Sequence, residues 1–426
     1  MSFWIKGSSD DYIDFSNDLA AILENNSVSA ASINAGGSGY VVGDILTVAG
    51  GTALVAAQIE VTSVSGGVID GIRIFNAGSY SADPTTTANA VTGGSGSSAT
   101  IDLTMSDLGW TVDRDTTWSG SEREVIAHGE GGGADEIYVG WRSFSNVGDD
   151  YYNWELHGLT GYSSGLGMTE QPGVSPGDHE AGNPQDYGTY LILSQNSFNW
   201  WLNINSYRII ITVTIGPGYW HAYMGLGNRF GTALEYPYPM LVSAPSERHD
   251  VNSNVGDKLS SITDPWIATS LTTDIGGTVV YMPGGGWELC VNRTGSSPSD
   301  EFCVVPTQRP QIAFTSPSAP EDRYMSTNRR FADIIFSTDS GTGGTTVANL
   351  QPSGDNDDHL LLPCIYVRSV PTAAVLLEPD ECRWCNNFGG VASEDRFVEA
   401  DGSVWRVFRN GNRTDTYAYL AIKEAG

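Results

Sequence analysis

Five cysteines are the residues of this 426-residue chain best suited to chemistry. Cys382-Arg-Trp-Cys385 has the spacing of a zinc half-site or a redox pair, because a tight turn between the two thiolates lets both reach one metal or each other. Tetrahedral zinc needs four donors, so Cys364 is the candidate third ligand and His359 a candidate fourth. Two other readings compete: buried free thiols, which behave as small apolar side chains, and a Cys382–Cys385 disulfide. Cys290 and Cys303 flank the turn-rich segment Asn292–Asp300. If that segment is a hairpin the two face each other, and a disulfide becomes possible once the chain leaves a reducing cytoplasm.

Other constellations are less specific. The six histidines, at 128, 157, 179, 221, 249 and 359, form no His-x-His or His-x-x-x-His pair. Gly161-Tyr-Ser163-Ser-Gly165 has the letters of a nucleophile elbow, which must run from a strand into a helix; Gly165-Leu-Gly167 is a poor helix start, and a plain turn is expected. Gly36-Gly-Ser-Gly39 and Gly93-Gly-Ser-Gly96 open no helix carrying a lysine and read as turns. Asp355-Asn-Asp-Asp358 fails the calcium-loop template and reads as a solvated acidic turn. Adjacent carboxylates such as Asp149/Asp150 and Glu394/Asp395 are expected by chance among 50 acidic residues. No catalytic residue and no cofactor is therefore assigned, and the chain is expected not to be an enzyme.

Aromatic clusters are the remaining signal. Trp154, Trp200, Trp201, Tyr219, Trp220, Tyr236 and Tyr238 are candidates for core packing, for a contact between subunits, or for a shelf on which sugars stack.

The elements that must position these residues are mostly strands. Gly is abundant at 51 residues, and short β-branched or aromatic runs alternate with Gly/Ser/Asn/Asp turns. Tyr207–Ile215 fits a central strand. Tyr236-Pro-Tyr-Pro239 lacks two backbone donors and is expected to be a rigid extended segment. One amphipathic helix is expected from Ser9 to about Glu24, capped by Ser8, Ser9 or Asp10, with Tyr12, Phe15, Leu19 and Ile22/Leu23 along one stripe. The expected organisation is an N-terminal helix of the main body (1–31), an inserted Gly-rich β-hairpin module (32–104), a main β-sandwich-like body (105–245), a second β region (246–355) and a C-terminal strand unit (356–426).

The formal charge of −29 excludes coating of DNA or RNA, which needs clustered Lys and Arg. No secretion signal is visible at Met1–Gly7, and no apolar run approaches the roughly 20 residues of a membrane span. Synthesis in a cytoplasm without membrane insertion is expected.

Two stretches resemble known phage proteins. Gly36-Gly-Ser-Gly39-Tyr40, Gly43-Asp44, Ser65-Gly-Gly67 and Asn76-Ala-Gly-Ser-Tyr80 resemble a small β-module that recurs in phage tail and other virion proteins. Leu108–Val112, Glu124–Gly129, Glu136–Gly140, Tyr151–Tyr162, Gln171–Gly173, Trp200–Arg208, Ala222–Gly225 and Glu235–Met240, with Ala392–Asp395, Val404–Asn410 and Arg413–Ala421, resemble a widespread family of bacteriophage virion proteins encoded among tail genes. The resemblance implies a structural part of the tail tip or baseplate, assembled with other virion proteins and with copies of itself in a ring or trimer. A receptor-binding, fibre-like or capsid decoration protein contacting the host cell surface is the alternative.

Overall fold

The computed structural model describes residues 1–130, 136–147, 151–176, 189–216, 218–244, 278–290, 302–305, 361–363, 365–368, 374–385, 392–409 and 419–424. The protein is mostly β, with one α-helix among the described residues. Most of the region expected over 246–355 lies outside them, as do Asp149/Asp150, Asp355–Asp358, His359 and Cys364.

A seven-stranded antiparallel sheet forms the centre, in the order β1 (Phe3–Ser9), β15 (Phe198–Asn205), β16 (Arg208–Ile215), β17 (Gly218–Leu226), β19 (Met240–Ser243), β20 (Thr278–Tyr281) and β21 (Trp287–Cys290). A second sheet runs in chain order through β10 (Trp110–Ser119), β11 (Glu122–Gly129), β12 (Ile137–Asn146), β13 (Tyr151–Leu159) and β14 (Thr189–Ile192). Two C-terminal sheets follow the orders β18 (Asn228–Arg229), β25 (Ala374–Glu378), β24 (Ile365–Arg368), β22 (Phe302–Val305), and β23 (Leu361–Pro363), β26 (Cys382–Cys385), β29 (Tyr419–Glu424), β28 (Val404–Arg409), β27 (Arg396–Val398). The segment 27–106 has its own sheet, β2 (Ser27–Ser38), β9 (Ser97–Ser106), β8 (Asn89–Gly93), β3 (Ile45–Val48), β5 (Gln58–Ser65), β6 (Val68–Asn76), with a β4 (Thr52–Val55) and β7 (Ser79–Ala82) pair beside it.

The central sheet is covered on both faces, which is why its strands read as continuous apolar runs. One face carries Trp200, Leu202, Ile209, Ile211 and Val213 into a core shared with Val125, Val139, Trp141, Trp154 and Leu156 of the five-stranded sheet. The opposite face carries Trp201, Ile210 and Tyr223 into a core shared with Leu376, Leu377, Cys382, Phe408, Leu420 and Ile422. The body is a three-layer β-sandwich, and β16 lies inside it as the central strand expected at Tyr207–Ile215.

Helix α1 (Tyr12–Glu24) starts later than expected, and its cap is Asp11. The Asp11 carboxylate accepts from the amides of Ile13 and Asp14 at 2.7 and 2.8 Å. The reason is the strand before it: Phe3–Ser9 pairs in register with Ile204–Phe198, so the chain is extended through Ser9. Gly7 lies opposite Trp200, and a Cβ there would stand 2.3 Å from the indole ring. Only glycine lets that ring lie flat on β1.

The segment 27–106 is more than a set of hairpins. Its outer strands meet: a Cβ on Gly36 would come within 2.5 Å of the Ile69 carbonyl oxygen, and the Tyr40 amide donates to Gly67. The sheet thereby curls round a core of Leu46, Ile59, Val61, Ile69 and Ile101. Its root is fastened to the body through Asn76, whose amide imitates a neighbouring strand. Asn76 Oδ1 accepts from the Lys6 amide at 3.3 Å, Nδ2 donates to the Lys6 carbonyl at 2.8 Å, and the Ala77 amide donates to Trp4 at 2.8 Å. The outer edge of β1 is thus covered.

Candidate functional site

Cys382 and Cys385 are the two ends of β26. Side chains three positions apart on a strand leave from opposite faces, with their Cα atoms about 10 Å apart, beyond the reach of a disulfide. Cys382 accordingly packs with Trp201 and Phe408, whereas Cys385 packs with Trp405 and Tyr419. Both thiols are buried, and their places on opposite faces of one strand fit neither a shared zinc ion nor a Cys382–Cys385 bridge. Burial pushes each thiol up to about 12. Neither will be alkylated by iodoacetamide in the native protein at pH 8, and both will be in guanidinium; peptide mapping by mass spectrometry reads this directly. Native labelling of either would contradict the placement.

Cys290 and Cys303 do not flank one hairpin. The strand of Cys290 pairs with β20 and that of Cys303 with β24, in different sheets. The two strands do not pair as a hairpin because strand order is not chain order here.

The aromatic candidates fill cores. Trp154, Trp200, Trp201, Trp220 and Tyr236 are buried, and Tyr219 and Tyr238 are partly buried. Trp154 stacks on Phe15 at 4.6 Å between ring centroids, and Trp200 donates to Ser9 Oγ at 2.8 Å. Tyr238 donates to the Leu159 carbonyl, and Tyr236 to that of Tyr281. The Tyr236–Pro239 segment forms no strand, as its prolines require. Five of the seven rings therefore offer no surface to a sugar or a neighbouring subunit.

Charged side chains are concentrated at three places that sequence reading missed. The first is the outer face of the five-stranded sheet. Glu124, almost fully buried, takes Arg114 and Arg142 at 2.7 Å each, and His157 lies 3.5 Å from Glu155 one strand further on. Gly161–Gly165 leads into a short 3-10 turn at Met168–Glu170 over this face and builds no nucleophile elbow.

The second place is Arg208, fully buried at the head of β16. Its Nε donates to Asp380 Oδ2 at 3.0 Å, its Nη1 to Asn203 Oδ1 at 2.7 Å, and its Nη2 to Glu381 and to Ser2 Oγ. Tyr207 and Asn228 also donate to Asp380, each at 3.0 Å. Burial alone would raise the Asp380 pKa. The charge of Arg208 and the hydrogen bonds from Asn228, Arg208 and Tyr207 outweigh it and hold the carboxyl below the usual range.

The third is a seam between the 27–106 segment and the C-terminal strands. Glu60 accepts from Arg73 and from Arg396, both at 2.7 Å; Arg396 and Arg406 in turn hold Glu424 at 2.5 and 2.6 Å. Both guanidinium groups lie over Phe75, at 5.3 and 5.7 Å from its centroid. Lys6 and Tyr219 add bonds to Glu394 beside it.

His221 is a buried base of a different kind. It faces Phe408, and its Nδ1 lies 2.9 Å from Thr212 Oγ1. Burial lowers its pKa from 6.5 to about 3. Over that window the unfolded chain binds a proton that the folded chain refuses, so stability falls as pH drops, by up to about 1.4 kcal/mol per unit. Urea midpoints at pH 7 and pH 5 will differ less in His221→Gln than in the parent; parallel pH profiles would show that the imidazole is not the source.

Among the described residues no group of three or more His, Cys, Asp or Glu side chains is placed to hold a metal ion. No described helix is long and apolar enough to cross a membrane. No family model matches the chain, and no curated protein matches it.

Proposed function

We propose that the chain is a bacteriophage virion structural protein, a part of the tail tip or baseplate that assembles with other tail proteins and with copies of itself in a ring or trimer. One observation carries the reading beyond the resemblance of its segments to such proteins. Regions far apart in the chain are bolted together by ion pairs with little access to water: Arg208 to Asp380 and Glu381, and Glu60 through Arg396 to Glu424. Large aromatic side chains fill the space between layers. Such a body suits a part that must keep its shape outside a cell. The acidic surplus of −29 keeps free copies apart before assembly.

A host-contacting or decoration role is the second reading, and one feature favours it. The β5–β6 hairpin is rooted at Asn76 and reaches about 25 Å away to its Gly66-Gly67 turn. Around that tip Val41, Val42 and Val68 are 54%, 61% and 44% exposed.

Mass spectrometry of gradient-purified particles, followed by gold-labelled antibody on intact ones, tests the proposal. The chain is expected at stoichiometric amounts, with label at the tail end. Label on the capsid favours the decoration reading, and absence from purified particles ends both.

A further inference from the structure

Helix α1 meets β1 and β15 through a chain of three side chains. Trp200 Nε1 donates to Ser9 Oγ at 2.8 Å, and Ser9 Oγ donates to Asp18 Oδ2 at 2.5 Å. Trp200 and Ser9 are buried, and Asp18 is half-buried. An indole can only donate and a serine hydroxyl has one proton, so the directions are fixed and Asp18 is the final acceptor. Asp18 Oδ1 is left to take a proton.

The charges round this carboxyl are of its own sign. Asp14 lies one turn before it, and Asp10 just ahead of the helix. Asp14 Oδ2 accepts from the Asp10 amide and Asp10 Oδ1 from Ser197 Oγ, while Asp11 caps the helix. The basic side chains of β1, β10, β11 and β12, which pack on α1, are engaged with other carboxylates: Lys6 with Glu394, Arg114 and Arg142 with Glu124, and Arg123 with Asp115. Glu122 accepts from Tyr12 at the first turn, and Glu155 and His157 lie on the outer face of β13, away from the helix. Burial disfavours the charged form of Asp18, and the Asp14 and Asp10 carboxylates add to that. The Ser9 bond opposes them without prevailing, and the pKa rises from 3.8 to about 6.

We propose that Asp18 is a proton-operated clasp that ties helix α1 to β1 and β15 more tightly in mildly acidic solution than at neutral pH. The proton removes the like charge facing Asp14 and Asp10, while the bond from Ser9 stays. The unfolded chain holds Asp18 near its ordinary value. Between about pH 4 and the folded value, the folded chain therefore binds a proton that the unfolded chain has released, and the contribution to stability falls as pH rises through that window. His221 acts in the opposite direction over an overlapping range, so a comparison of parent and variant at each pH isolates Asp18. The clasp is independent of where in a particle the chain sits.

Nuclear magnetic resonance of the nitrogen-15-labelled full-length protein tests it. The indole N–H resonance of Trp200, assigned through Trp200→Phe, should titrate with a midpoint near pH 6 and should stop doing so in Asp18→Asn, which keeps the acceptor for Ser9 without the charge. Asp14→Asn removes a neighbouring charge and should move the midpoint to lower pH, which a purely structural bond would leave in place. Asp18→Asn should also lower the unfolding constant relative to the parent, by a factor about ten-fold larger at pH 7.5 than at pH 5. The proposal is overturned if the Trp200 resonance does not titrate between about pH 4 and pH 8, if it titrates equally in Asp18→Asn, or if the ratio of unfolding constants is the same at both pH values.

Discussion

Replacing Arg208 by Met is expected to remove about 3 kcal/mol of stability, read as a lower urea midpoint with an unchanged slope. The methionine fills most of the space, so the loss is electrostatic. Removing one partner of a buried ion pair leaves the other charge without compensation, at about 3–5 kcal/mol. The lower end applies because Asp380 and Glu381 keep partial access to water, at 16% and 19% side-chain exposure. The acid limb supplies an independent check. With Arg208 present, Asp380 holds its charge below the ordinary carboxylate range. That contribution is complete above about pH 4 and disappears as pH falls through the depressed folded value. In Arg208→Met this acid-side loss should shrink. A variant as stable as the parent, with the same acid profile, would mean that the clamp contributes nothing.

Trp154→Ala is the second large effect, at about 3–5 kcal/mol. The indole is fully buried between Phe15, stacked at 4.6 Å, and Trp141, stacked at 5.7 Å, and its Nε1 donates to the Tyr12 carbonyl at 3.0 Å. It joins helix α1 to the five-stranded sheet, so its removal leaves a cavity and deletes the hydrogen bond that ties the first turn of the helix to that sheet. Trp154→Phe keeps most of the stacking and should recover about half of the loss. Loss of near-ultraviolet circular dichroism should accompany the alanine variant. An alanine variant with parental stability would place the ring at the surface, where a partner or a sugar could use it.

Strand content was legible because alternation and β-branching are local properties. Tyr207–Ile215 announces a strand in its own residues, and Phe15, Leu19, Ile22 and Leu23 announce a helical stripe. The start of that helix was misread because β1 is stabilised by pairing with β15, about 190 positions away, and not by anything in Phe3–Ser9 itself. The Cys-x-x-Cys pair was legible as spacing only. Spacing implies convergence in a turn and divergence in a strand, and β26 became a strand through its partners β23 and β29.

The sequence by itself determined the mostly β composition, the acidic character and the period-two division of each strand into two faces. Tertiary structure decided what covers each face. Trp200 and Trp201 are neighbours in sequence, yet they enter different cores because layers were laid on both sides of one sheet. Arg208 is a lone basic residue until Asp380, 172 positions on, is folded against it. Alternation is set by the geometry of one chain segment, whereas burial and ion pairing are set by which distant segment packs there, and no local pattern encodes that choice.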